Sequence, residues 1–169
     1  MHFPREEFSD VLTSNASFVS DFQYSELTGT ARKGLAIITC MDSRISPLAA
    51  VGMQAGDAKI LRNAGARVTD DVLRTLVLAS YLLGVVRVLV MPHTDCRMAT
   101  TDEASIHKTI KDQFGVDTSS LEFRAVSNQR EALAEDVARI RAYSLLQKGV
   151  SVAGAIYNVS TGQIEPIDC

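Results

Sequence analysis

Three near-continuous apolar runs constrain the architecture of this chain: GLAIIT at 34–39, VVRVLVMP at 85–92 and VSVAGAIYN at 150–158. A strand with one wet face alternates apolar and polar residues. A run that is apolar at almost every position belongs to a strand covered on both faces, as in a parallel sheet flanked by helices. Weaker strand signals lie between these runs, so strands are predicted at 34–40, 58–62, 85–92, 121–126 and 150–158.

The intervening segments read as helices. Ser46-Pro47 is an N-cap followed by proline in the first turn, opening a short helix toward Met53 that Gly56 breaks. Thr69-Asp70-Asp71 supplies a cap and negative charge for a helix whose Val72, Leu76, Ala79 and Leu83 share a face, with Gly84 as its stop. Further helices are predicted over 101–113 and 129–147, the second with Leu133, Val137, Ile140 and Leu145 facing inward. Ser160-Thr161-Gly162-Gln163 turns the last strand into a short terminal hairpin. Strands alternating with helices make βαβ units. The fold class is therefore α/β: a single domain over 1–169 with a mainly parallel central β-sheet flanked by helices. Residues 1–30 form an N-terminal helical extension in which Phe8, Leu12 and Phe18 mark one face.

Composition narrows the function. A chain of 169 residues suits one domain with a proper core. The formal net charge is −3 and the basic residues are scattered, so nucleic acid is not an expected partner. No apolar run reaches about 18 residues, which argues against a membrane span. The Met-His-Phe-Pro-Arg-Glu-Glu start lacks the apolar core of a secretory signal, and a cytoplasmic location is expected. Three cysteines argue against a disulfide framework and for metal binding or catalysis.

The position of two of those cysteines sharpens the point. Cys40 follows the first apolar run directly, and His93-Thr94-Asp95-Cys96 follows the 85–92 run. Ligands of open parallel sheets bind at the carboxyl ends of strands, so adjacent placement of these two strands would bring Cys40, His93 and Cys96 to one point. Two thiolates and an imidazole are a natural set for zinc. Three ligands leave a fourth position for water or substrate, the mark of a catalytic rather than a structural site.

Cys40-Met41-Asp42-Ser43-Arg44, with His93-Thr94-Asp95-Cys96 some fifty residues on, resembles the beta-class carbonic anhydrases and their signatures C-x-D-S-R and H-x-x-C. Arg62-Asn63-Ala64-Gly65 between the two motifs and Thr69-Asp70-Asp71 after it are also typical of that family. The resemblance implies that Cys40, His93 and Cys96 bind zinc and that Asp42 and Arg44 form a catalytic dyad. It implies reversible hydration of carbon dioxide to bicarbonate, small bacterial relatives, and a homodimer or higher homo-oligomer. Physical chemistry agrees: zinc can lower the pKa of a bound water to about 7, and Arg44 would keep an ionised Asp42 in place to orient the nucleophile. The resemblance also implies two states for Asp42, either paired with Arg44 or turned to ligate the metal.

Two alternatives share this constellation. One is a hydrolase of carbon disulfide or carbonyl sulfide, and the other is a non-catalytic zinc protein closed by Asp42 or Cys169. Arg97 stands where the family usually has glycine, and is expected either to narrow the pocket or to point outward. The Arg62–Gly65 loop and Asp95 are assigned no chemistry, His107 is expected to be a solvated helix residue, and Cys169 a mobile terminal thiol.

Overall fold

Strands β1 (Leu35–Cys40), β2 (Ala58–Asn63), β3 (Arg87–Met91), β4 (Ser151–Tyr157) and β5 (Ile164–Ile167) form one sheet in the order β2-β1-β3-β4-β5. The structure is a computed structural model and describes residues 2–169. The first four strands run parallel, and β5 returns antiparallel to β4 as the terminal hairpin. All six residues of β1 are buried, as its unbroken apolar sequence demands.

Successive side chains of a strand point to opposite faces, so each run feeds two cores. Ala36 and Ile38 join Val88, Val90, Val152 and Ile156 on one face, under helices α3 (Asp70–Leu82) and α6 (Gln129–Arg141). Leu35, Ile37 and Met91 face the other way and form a cluster with Ile45, Cys96 and, at the end of β1, Cys40. That second core has a thinner cover, comprising the short helix α2 (Pro47–Ala50) and half-buried residues such as Val51, Met53 and Met98.

The predicted signals for α3 act as read. The Thr69 hydroxyl accepts from the Val72 N–H, Asp70 and Asp71 occupy the first turn, and Val72, Leu76 and Ala79 are buried. Gly84 takes φ 73°, and a Cβ there would lie 2.8 Å from Thr30, so glycine ends this helix for both conformational and steric reasons. In α6, Leu133, Val137 and Ile140 are buried as predicted, but the helix stops at Arg141 rather than 147, and Leu145 is 60% exposed. The Arg141 guanidinium donates to the Val152 and Cys169 carbonyls, which ties the helix end to the sheet edge and turns the chain away.

The predicted strand at 121–126 does not form. Its apolar and polar residues alternate, but its backbone N–H groups go to a side chain: Glu103 accepts from Phe123 and, at 3.0 Å, from Ala125. Arg124 adopts φ 63°, which breaks any extended run, and Val126 N–H bonds the Met98 carbonyl. The segment is an ordered loop strapped to helices α4 (Arg97–Thr100) and α5 (Glu103–Phe114). The N-terminal extension contains α1 (Ser9–Ser20), none of whose residues is buried. No described helix is long and apolar enough to cross a membrane.

The order of the strands positions the site. From β1 the chain goes to β2 on one side and then crosses to β3 on the other, so β1 and β3 lie at the switch point. The crevice at their carboxyl ends is the place such a sheet offers to a ligand.

Candidate metal centre

Register brings the predicted residues together. Thr39 pairs with Met91, and its hydroxyl donates to the Met91 carbonyl at 2.8 Å, which sets Cys40 beside Pro92 and His93 just beyond. His93 forms a parallel bridge with Tyr157 of β4, and its carbonyl accepts from the Gln129 side chain at 2.9 Å. The chain then reverses through Asp95, at φ 55°, and delivers Cys96 to the same point.

The ligand atoms of Cys40, His93 and Cys96 all lie within 4.8 Å of one another, and the three residues are buried. The two sulfurs are 4.0 Å apart, twice a disulfide length. A tetrahedral centre with zinc–sulfur bonds of about 2.3 Å separates its sulfurs by about 3.8 Å, so the spacing suits a shared metal. His93 completes the fit. Its Nδ1–H donates to the Thr94 carbonyl at 2.8 Å, which fixes the tautomer and leaves the Nε2 lone pair free. Nε2 is buried and has no hydrogen-bond partner among the described residues, a costly arrangement unless a ligand uses it.

Electrostatics prepare the same group. The hydrogen bond from Cys96 holds the Cys40 thiol well below its usual range, against the effect of burial and with help from His93 and the Gly65 N–H. Sharing that proton pushes Cys96 up. Burial acts to lower His93, yet the neighbouring Cys40 sulfur and the Thr94 carbonyl outweigh that, so its pKa is raised. A divalent cation would displace these protons on binding.

Asp42 and Arg44 stand beside this group. The Arg44 guanidinium makes a two-pronged pair with the Asp42 carboxylate, Nε to Oδ1 at 3.0 Å and Nη2 to Oδ2 at 2.7 Å, and the Arg44 backbone N–H adds a third bond at 2.9 Å. These Arg44 bonds hold the carboxyl well below the usual carboxylate range, and Asp42 in turn raises Arg44. Asp42 Oδ2 lies 3.7 Å from His93 Nε2. Of the two states expected for this carboxylate, it occupies the one paired with arginine.

Reading the sequence missed two supports. Arg44 Nη1 also meets Asp95 Oδ2 at 2.8 Å, and Nη2 donates to the Asp95 carbonyl at 3.2 Å, so Asp95 anchors the arginine. Arg62 donates to the carbonyls of Cys40, Asp42 and Ile45, at 2.9, 2.6 and 3.3 Å, and so shapes the loop that presents Asp42. An arginine at the end of a largely apolar strand was the available signal. His107 is not simply solvated, because its ring is 22% exposed, bonds the Thr118 hydroxyl at 2.9 Å and packs on Phe123. Cys169 has an exposed side chain outside the ligand group, and Arg141 holds its carbonyl. Arg97 is exposed and lines a cleft with Ser105, Thr109 and Phe114 of α5.

A family model described as carbonic anhydrase matches residues 35–164, a span that includes all five candidate residues. Beta-carbonic anhydrase 1 of Mycobacterium tuberculosis is 32% identical over 159 residues, 94% of this chain and 96% of its own length. The chain belongs to the beta-carbonic anhydrase family. The carbonic anhydrase of Streptococcus mutans has the same fold, with a TM-score of 0.89 and 34% identity over 99% of this chain and 100% of that one. A carbon disulfide hydrolase of Acidithiobacillus thiooxidans is 29% identical, over 77% of this chain and 75% of its own. The beta-carbonic anhydrase match thus rests on the full sheet as well as on two short motifs.

Proposed function

We propose that this beta-carbonic anhydrase reversibly hydrates carbon dioxide to bicarbonate and a proton, with Cys40, His93 and Cys96 holding one zinc ion and Asp42 and Arg44 serving the reaction. The observation that carries this reading is the buried, partnerless His93 Nε2, which shares a point with two sulfurs beside an arginine-held carboxylate. When bound, zinc supplies the Lewis acidity that makes water a nucleophile near neutral pH.

The chain's own residues supply the rest. Asp42 stays ionised, and an ionised carboxylate only accepts hydrogen bonds. It takes one from the attacking water and turns a lone pair toward the carbon. Arg44 keeps that carboxylate fixed and charged, and Asp95 and Arg62 keep Arg44 and the loop in place. The thinly covered second core and the exposed apolar residues of 3–24 favour a homo-oligomer as the working unit. A 12-residue helix without buried residues is marginal alone in water, so α1 is read as an arm laid on a second copy. We place the protein in the cytoplasm, where a reducing environment preserves three free cysteines.

Stopped-flow hydration of carbon dioxide by zinc-quantified protein tests the reading, with carbon disulfide and carbonyl sulfide in parallel because a relative hydrolyses the former. Hydration with about one zinc per chain is expected. Absence of hydration alongside turnover of a sulfur substrate would replace carbon dioxide with that substrate. Near-stoichiometric zinc in Cys40→Ser would end the ligand assignment.

A further inference from the structure

Four residues outside the proposed zinc group combine to aim one backbone N–H at its first sulfur. The Gly65 N–H donates to Cys40 Sγ at 3.4 Å. That peptide faces the sulfur because the turn after β2 is left-handed twice, with Gly65 at φ 77° and Ala66 at φ 60°. The second of these bears a side chain and keeps such a conformation only where its surroundings enforce it.

The surroundings are specific. Asn63 staples the turn: its Oδ1 accepts from the Arg67 N–H at 2.8 Å, and its Nδ2 donates to the Arg67 carbonyl at 2.7 Å. Arg67 Nε then donates to Asp136 Oδ2 at 2.7 Å, an ion pair whose carboxylate is buried on α6. A Cβ on Gly65 would sit 3.0 Å from Met98 Cβ, so a side chain there would be crowded as well as strained.

We propose that Asn63 and Asp136 are positioning residues for the metal centre, acting through Arg67 and the Gly65 peptide to hydrogen-bond the Cys40 thiolate. The bond draws electron density from the sulfur and leaves the bound metal a stronger Lewis acid, the general role of groups behind the ligands. The inference rests on the reading of Cys40 as a zinc ligand.

The test is the thiolate-to-metal charge-transfer band of the cobalt(II)-substituted protein. Asn63→Ala removes the staple, Asp136→Asn keeps shape while removing the charge that holds Arg67, and Gly65→Ala adds a methyl at a crowded, left-handed position. Each variant should still take up about one cobalt per chain, with the band at longer wavelength because the sulfur has lost its N–H donor. Asn63→Asp, which can still accept from Arg67 N–H, should recover part of the shift. A band at the wild-type wavelength in both Asn63→Ala and Asp136→Asn would overturn the proposal, and Asp136→Asn alone decides should the first variant fail to fold. Cys40→Ser separates this inference from the reading beneath it. Loss of most of the bound cobalt, and of the band with it, is expected on removal of one of three ligands, whereas near-stoichiometric cobalt with full charge-transfer intensity would remove Cys40 from the ligand set altogether.

Discussion

At the scale of single residues, the proposed function divides labour between three buried donors and a partly exposed ion pair. Cys40, His93 and Cys96 are at most 5% exposed, and none of the three can be replaced without changing the donor set. Asp42 and Arg44 touch no more than the edge of that set, so metal binding and turnover should separate by mutation. Asp42→Asn is expected to keep near-stoichiometric zinc and lose turnover on the order of 100-fold, the low end of what a proton-handling side chain contributes. Metal analysis beside hydration rates checks it, and unchanged turnover would remove Asp42 from the mechanism. Asp95→Asn is a finer probe. Arg44 keeps Asp42 but loses its second carboxylate, so kcat should fall by less than in Asp42→Asn while unfolding temperature hardly moves, as expected for an exposed pair.

At the scale of elements, two connections decide stability. Helix α6 covers one face of the sheet through Leu133, Val137 and Ile140, and Leu133 lies against Gly154, where a Cβ would come within 3.0 Å of it. Leu133→Ala should cost about 2–5 kcal/mol, the range for a buried leucine truncated in a packed core. Chemical denaturation measures this directly. The loop of 115–126 depends instead on Glu103, whose pKa is lowered first by the Phe123 N–H and then by that of Ala125. A carboxylate held below its unfolded value stabilises the fold above that value, about pH 4.3. The contribution disappears as pH falls through the lower folded value. Glu103→Gln should therefore unfold at a lower temperature than wild type at pH 7, and the gap should close as pH falls through and below 4. A gap that stays constant down to pH 3 would mean that the charge of Glu103 does not hold the loop.

At the scale of the whole molecule, the sheet is covered unequally. Helices α3 and α6 seal one face, whereas the opposite core, around Leu35, Ile37 and Met91, relies on short elements and half-buried side chains. Phe3, Phe8, Leu12, Phe18 and Phe22 of the N-terminal arm are all at least 40% exposed. Removal of residues 2–24 is expected to lower the oligomeric state, measured by light scattering or sedimentation, while each chain keeps its zinc. The same number of chains per assembly with and without the arm would refute its role as an interface.

Patterns that depend on near neighbours could be read without a structure. Unbroken apolar runs at β1, β3 and β4, the Thr69 cap and Gly84 stop of α3, and the terminal hairpin each follow from local sequence, because burial on both faces and helix ends leave local signatures. The meeting of Cys40, His93 and Cys96 was legible too, since residues at the carboxyl ends of two adjacent parallel strands converge. Whatever depends on a distant partner was not. The alternation at 121–126 reads as a strand until Glu103, about twenty residues earlier, takes its N–H groups. Leu145 completes a helical stripe until Arg141 ties the helix end to Val152. Asp95 is an ordinary loop residue until Arg44, 51 positions away, reaches it. Side-chain hydrogen bonds to remote backbone or carboxylates have no period in sequence, and only the folded chain decides which of them form.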